Sequence, residues 1–302
     1  MASVLFDNPG PKAIVRHRIL AVVTILIVGA LLAFVVVRLA ESGQFTAEKW
    51  RLFTFPLVHE RILGALGSTL TAFGIAAVLS LVLGFLLAIG RLSSRRWIST
   101  PCLLFTELFR AIPVLILMMI VYYGLPPLGV TWVTPLIAVV TGLTLYNGSV
   151  FAEIFRAGVE ALPHGQAEAA YALGMSKGQV MRSILLPQAF RAMLPITLSQ
   201  LVVVLKDTAL GFIVTFQELL YLAKFYGAQV TYGSPIIPAT IIFGTIYIAL
   251  CLILAAVAKW VEVRTRRSPK IAKPTRRGGA DGGATQAPLI GQGVDQGAAP
   301  IQ

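Results

Sequence analysis

The chain has 302 residues, 57% of them hydrophobic and 13% charged, with a mean hydropathy of +0.81. A water-soluble domain of this length has no interior large enough to hide so much apolar surface, which excludes an ordinary soluble globular fold. The net charge is +12. Its basic residues flank apolar runs rather than forming a patch on any visible nucleic-acid-binding fold, which argues against a nucleic-acid partner.

Six runs approach or exceed the roughly 20 apolar residues that cross a hydrocarbon core of about 30 Å: 19–37, 62–90, 103–124, 133–152, 195–216 and 236–259. Each is expected to be helical, because backbone polar groups in hydrocarbon find partners only within their own helix. The fold class is therefore all-α and polytopic, with six transmembrane helices. The first run follows Lys12, Arg16 and Arg18. Its apolar core is longer than that of a secretory signal, and VVVRLAESG offers no small-x-small cleavage site, so an uncleaved helix is expected. The second run is longer than needed, which permits tilt.

Charge sets the orientation. With the N-terminus in the cytoplasm, most of the 25 Lys and Arg fall inside: Lys12 to Arg18, Arg91 to Arg96, Arg110, Arg156 to Arg191, and Lys259 onward. Positive residues flank the cytoplasmic side of membrane helices, so both termini are expected to be cytoplasmic in a multi-pass cell-membrane protein.

Between the fourth and fifth runs the chain breaks into GQAEAAYALGMSKGQVMRSILLP, 165–187. Residues 166–173 predict a short helix with Ala167, Ala170 and Tyr171 on one face. Gly174 follows, where a left-handed cap favours glycine. Ser176 opens a second short helix, with Gln179 completing a capping box. An apolar stripe of Val180, Met181, Ile184 and Leu185 runs to Pro187, which is expected to end it. Two short helices at a glycine corner form a knob suited to a partner's groove. The same periodicity fits a loop lying across the protein's own inner face.

Ionisable and polar residues within spans mark paths or structural pairs. Lys206 and Asp207 lie about eleven residues past Pro195, near mid-membrane at about 1.5 Å per residue. Lys206 suits a substrate carboxylate, and Asp207 or Thr208 suits an ammonium; a helix-to-helix structural pair is the alternative. Tyr146 and Asn147 sit in the fourth span, either lining the same cavity or making inert helix contacts. Glu107 with Arg110 and Glu153 with Arg156 have i,i+3 spacing for ion pairs at a gate or scaffold, and Pro113 loosens the third helix. The aromatic segment 221–232 is expected at the external interface, anchored by tyrosine.

Other chemistry is thin. His17, His59 and His164 are scattered, and no zinc-type or paired-carboxylate spacing occurs, so neither metal nor catalytic residue is expected. Cys102 and Cys251 read as small buried hydrophobes rather than a disulfide. There is no G-x-x-x-x-G-K-[ST], so the chain is not itself an ATPase, is not read as an enzyme, and binds no cofactor of its own. From about residue 263 the chain turns basic and then Gly-rich, a composition that buries no core; 263–302 is expected to be a disordered tail, either solvated or resting its basic start on anionic membrane lipid.

Glu168-Ala169-Ala170, Gly174 and the ILLP that ends in Leu186-Pro187 resemble the EAA loop of inner-membrane permeases of ABC importers. ELFRAIP at 107–113, EIFRAGVEALPHGQAEAAYALG at 153–174, LPQAFRAMLP at 186–195 and LKDTAL at 205–210 extend the resemblance to the polar amino acid branch, which carries histidine, glutamine, glutamate and arginine, and most of all to glutamate-uptake permeases of actinobacteria. The resemblance implies a type I ABC importer permease fold with the core at 62–262 and a cytoplasmic coupling loop at 153–194. It implies docking on a cytoplasmic ABC ATPase dimer, which binds the ATP, through Glu168, Ala169, Ala170, Gly174, Leu186 and Pro187. A second permease subunit, an external solute-binding protein and an amino acid substrate, glutamate before glutamine, arginine or histidine, are implied with it. The family core commonly has five spans; residues 1–61 add an N-terminal tail, an extra helix and an external loop. An ion-coupled secondary transporter and a membrane scaffold that recruits a partner remain the competing classes. The first would favour inverted repeats and carboxylates along the spans, of which the sequence shows little.

Overall fold

The structure, a computed structural model, describes residues 10–266, which form helices joined by short turns and linkers, with no strand among them. Most of the basic tail expected at 263–302 lies outside the described residues.

Helix α1 (Pro11–Glu41) starts with proline in its first turn, where the missing N–H costs nothing, and buries none of its residues. A helix apolar on every side with no protein over it is suited to lipid. After the short α2 (Ala47–Arg51), Leu52 and Phe53 turn inward. Helix α3 (Pro56–Arg91) begins ahead of its apolar run and spans 36 residues, enough to cross the membrane at a tilt.

The third expected span is not one helix. Helix α4 (Arg96–Ala111) and helix α5 (Val114–Met119), which continues through a π-turn to Gly124, meet at 97°. Ile112 is extended (φ −89°, ψ 125°), because the ring of Pro113 excludes the helical conformation from the residue before it. Proline breaks this helix where a loosening was expected. The described chain thus has five unbroken membrane-length helical runs and one bent pair.

Helix α6 (Pro135–Glu160) is the central pillar, capped by the Thr134 hydroxyl, which accepts from Ile137 N at 3.3 Å. It buries Val139, Leu143, Phe151 and Ala152 against α3 and α5. The α3–α6 crossing is close because small residues face each other. A Cβ on Gly84 would stand 2.5 Å from Phe151 Cβ and 2.9 Å from the Gly148 carbonyl. Small residues at such crossings let backbones approach where no hydrophobic effect drives helices together.

Helix α7 (His164–Ala172) and α8 (Lys177–Val180) form the expected corner. Beyond it the chain departs from expectation. Pro187 does not end the second helix; α8 runs through a π-turn (Met181–Leu185) into α9 (Leu186–Asp207) as one rod. The Leu186 N–H reaches back to Met181 O, five residues away. That widened turn moves the carbonyl that the Pro187 ring would otherwise strike and absorbs its missing donor. At its far end α9 tightens into a 3₁₀ stretch, Thr208–Val214, closed by Thr215 in the left-handed region at φ 60°.

Helix α10 (Leu219–Gly227) follows, capped by Glu218, whose two carboxylate oxygens accept from Leu220 N at 2.8 Å and Tyr221 N at 2.7 Å. The segment expected to anchor at the interface is instead partly core. Leu219, Leu222 and Tyr226 are buried with Phe53 and with Phe243 of α11 (Ile236–Arg266), and Tyr226 packs edge-on to Phe53 at 6.2 Å.

Candidate functional site

Three clusters carry the residues singled out in the sequence. The first is the knuckle. Gly174 lies at φ +79°, its N–H donates to Tyr171 O at 2.9 Å, and Met175 N donates to Ala170 O at 3.2 Å. This pair of bonds is a Schellman closure, and it fixes the angle at which α7 meets α8. On the other side Ser176 N donates to Gln179 Oε1 at 2.8 Å. The root is tied by Gln188 Nε2 to Gln166 Oε1 at 2.7 Å and by Lys177 Nζ to Leu92 O at 3.5 Å. The knuckle is a built corner rather than a slack loop.

Its exposed face differs from the one the sequence suggested. Glu168, Ala169 and Gly174 are exposed, but Ala170 turns inward. Leu186 and Pro187 lie at the root, lining an apolar groove against α3 and α6. The tip carries Tyr171 and Leu173, the latter 83% exposed. Leu173 was not singled out, since a leucine before a helix-capping glycine reads as ordinary packing. Its exposure was visible only once the closure set its direction.

The second cluster joins helix ends. Glu107–Arg110 (3.3 Å) and Glu153–Arg156 both form as spaced, but they belong to one network. Arg91 at the end of α3 donates to Glu153 at 2.5 Å and lies 3.9 Å from Glu107; Arg110 lies 3.8 Å from Glu153, and Arg156 also pairs with Glu160. Three arginines and three glutamates thus tie α3, α4 and α6 together. The Arg91 side chain is only 9% exposed. Sequence spacing reveals pairs within one helix and misses Arg91, which arrives across 62 residues. Tyr146 lines the pocket beside this network with Glu107, Arg110 and Glu153.

The third cluster is deeper. Asn147 is fully buried, its Oδ1 accepts from Gln200 Nε2 at 3.0 Å, and its Nδ2 is turned toward Asp207. Asp207, half-buried, is the charged group facing that amide. Tyr146 and Asn147, read as either cavity-lining or inert helix contacts, point to different places. Thr208 is also reassigned: its buried hydroxyl donates to Leu205 O at 2.7 Å and lies 2.7 Å from Tyr247 Oη, tying α9 to α11. Lys206 is exposed and, among the described residues, forms no ion pair with Asp207. At these two residues α9 passes from α-helical into 3₁₀ geometry. Among the described residues no group of His, Cys, Asp or Glu could hold a metal ion, and both cysteines are free.

Membrane-length helices packed around buried polar side chains, with a rigid corner at one end, define a polytopic, permease-type membrane protein. The binding-protein-dependent transport system inner membrane component family matches residues 80–267, and the chain belongs to that family. It is 41% identical over 235 residues to the glutamate transport system permease protein GluD of Corynebacterium glutamicum, covering 76% of this chain and 84% of the relative. It is 36% identical to the arginine transport system permease protein ArtQ of Bacillus subtilis, covering 67% and 90%. Among solved structures it is similar to an amino acid ABC transporter with histidines, with a TM-score of 0.63 and 28% identity, covering 68% of this chain and 94% of that one. The MetNI methionine ABC transporter, at 17% identity and a TM-score of 0.61, shares the fold. The type I ABC importer permease fold expected from the sequence is thus the fold of the chain.

Proposed function

We propose that the chain is the membrane subunit of an ATP-driven importer of a polar amino acid, with glutamate the preferred cargo, and that the knuckle at 164–187 docks on a cytoplasmic ATPase dimer that binds the ATP. The observation that carries this reading is the closed Gly174 corner, which holds exposed Leu173 and Tyr171 at the tip of an inflexible lever. An apolar tip on a rigid helix pair suits a groove in a partner protein. The lever continues through the π-turn into α9, so a push at the tip is delivered to the helix that ends at Asp207. Glutamate is favoured by the GluD relative; arginine and glutamine permeases are also similar.

In this reading a second permease subunit completes the path, a solute-binding protein loads it from outside, and both termini face the cytoplasm. In this reading the buried Asn147 amide and the Asp207 carboxyl that faces it form the chain's contribution to the substrate path, with the acid meeting the cargo's ammonium. ATP-driven closure of the motor subunits biases a two-state equilibrium between inward- and outward-facing arrangements.

Uptake of labelled glutamate into vesicles holding the chain with its co-expressed partners tests the proposal. Accumulation that needs ATP and the ATPase agrees with it. Accumulation driven by a proton or sodium gradient without ATP would identify a secondary transporter instead, and absence of uptake a scaffold.

A further inference from the structure

Beside the knuckle's root lies a feature that the transport reading does not use. A groove of about 510 Å³ runs between α3, α6 and α9, walled by Phe85, Ile89, Phe155, Phe190 and Met193. A second cavity of about 290 Å³ continues from it, sharing Ile89, Leu92 and Leu186, and is lined by Ser93, Ser94 and Lys177. The compound site is amphipathic along its length: carbon at one end, hydroxyls and an ammonium at the other.

Its position matches a membrane surface. Ser93 and Ser94 are followed by exposed Arg95 and Arg96, and Trp97 is 72% exposed. Basic residues and tryptophan at the end of a long apolar helix mark the headgroup level. On α4, Trp97, Leu104 and Leu108 form an exposed apolar stripe at helical spacing, as expected of a helix lying in that interface. Lys177 is exposed and is held over the mouth by its bond to Leu92 O.

We propose that this groove binds one anionic phospholipid, with an acyl chain between α3 and α9 and the phosphate on Lys177, Ser93 and Ser94. An apolar groove open to hydrocarbon fills with lipid chains of any kind. A fixed lysine at its mouth selects a net negative headgroup by about fivefold for a single surface charge. The bound lipid lies against the π-turn and Pro187, because Leu186 and Pro187 are part of the wall. The site requires only that the chain be in a membrane; it does not depend on which cargo is carried or on which leaflet the knuckle faces.

The test is native mass spectrometry of the full chain with its co-expressed partners, titrated separately with phosphatidylglycerol and phosphatidylcholine of matched chains. The expected result is about fivefold tighter retention of phosphatidylglycerol, a preference that Lys177→Gln abolishes and that soluble glycerol phosphate does not compete away. Ile89→Trp, which fills the groove from its exposed side, should release both lipids. If that variant does not insert, Lys177→Gln alone decides. Equal retention of the two lipids, or an undiminished preference in Lys177→Gln, overturns the proposal. So does competition by glycerol phosphate, which would mark a free-phosphate site. A disulfide between copies carrying Ile89→Cys would place a second permease chain in the groove and overturn it as well.

Discussion

At Gly174 two substitutions separate backbone from surface. The residue needs φ +79°, yet nothing lies within 4 Å of where its Cβ would be. Gly174→Val forces a β-branched residue into the left-handed region, at a cost of roughly 1–2 kcal/mol, and loosens the corner. Gly174→Asp visits that region more readily and leaves the corner standing, but it places a charge beside Leu173. The expected outcome for Gly174→Asp is normal membrane insertion with ATPase co-purification reduced at least about tenfold, measured by pull-down from solubilised membranes, an effect of about 1.4 kcal/mol or more. Asn147 makes a second residue-scale case. It is fully buried, with its Oδ1 on Gln200 and its amide turned toward Asp207. Asn147→Leu is expected to raise the KM for glutamate uptake about tenfold with little change in unfolding temperature; an unchanged KM would mark Asn147 as structural.

Between elements, packing and charge set different scales. Arg91 is nearly enclosed and meets carboxylates from α4 and α6, whereas the Arg38–Glu41 pair is solvent-facing, at 68% and 58% exposure. Arg91→Met strands Glu153 beside fewer partners and is expected to cost about 2 kcal/mol, between the surface-pair and buried-pair limits. Arg38→Met should be nearly silent in the same thermal unfolding series in detergent. At the α3–α6 crossing, Gly84→Val drives a side chain into the Gly148 carbonyl, which cannot move away as a flexible side chain would. Loss of monodisperse protein on size exclusion is expected, while Gly64→Val, with open space around it, should behave as wild type.

The same element scale shows what could be read in advance. Helix existence, the Gly174 cap and the Ser176 box were legible because their causes are local: apolar length, a left-handed position, a four-residue polar pattern. The 97° break at Pro113 and the continuation through Pro187 were not. Both are prolines in apolar context, and what separates them is whether a widened turn is available, as it is at Met181–Leu185. Arg91 and Gln200 escaped notice because their partners are 62 and 53 residues away. Thr208 looked like a cavity residue until Tyr247 of α11 was found on its hydroxyl.

Across the whole molecule, a lever and a membrane pillar share one helix. The tip at Leu173, the tied root at Gln166–Gln188, the π-turn before Pro187 and the change to 3₁₀ geometry after Asp207 follow one another along α7, α8 and α9. Helix α1 stands outside this chain of connections, with none of its residues buried, ahead of the residues 80–267 that match the family. The proposed coupling requires the tip to meet the ATPase on the side opposite the cargo's entry.

Cross-linking from the tip examines that most directly. A cysteine at Leu173, in the complex with its co-expressed ATPase and compared with the chain carrying only Cys102 and Cys251, is expected to cross-link to the ATPase and to resist membrane-impermeant thiol reagents in intact cells. Labelling of that cysteine from outside the cell, with no ATPase adduct, would contradict the account.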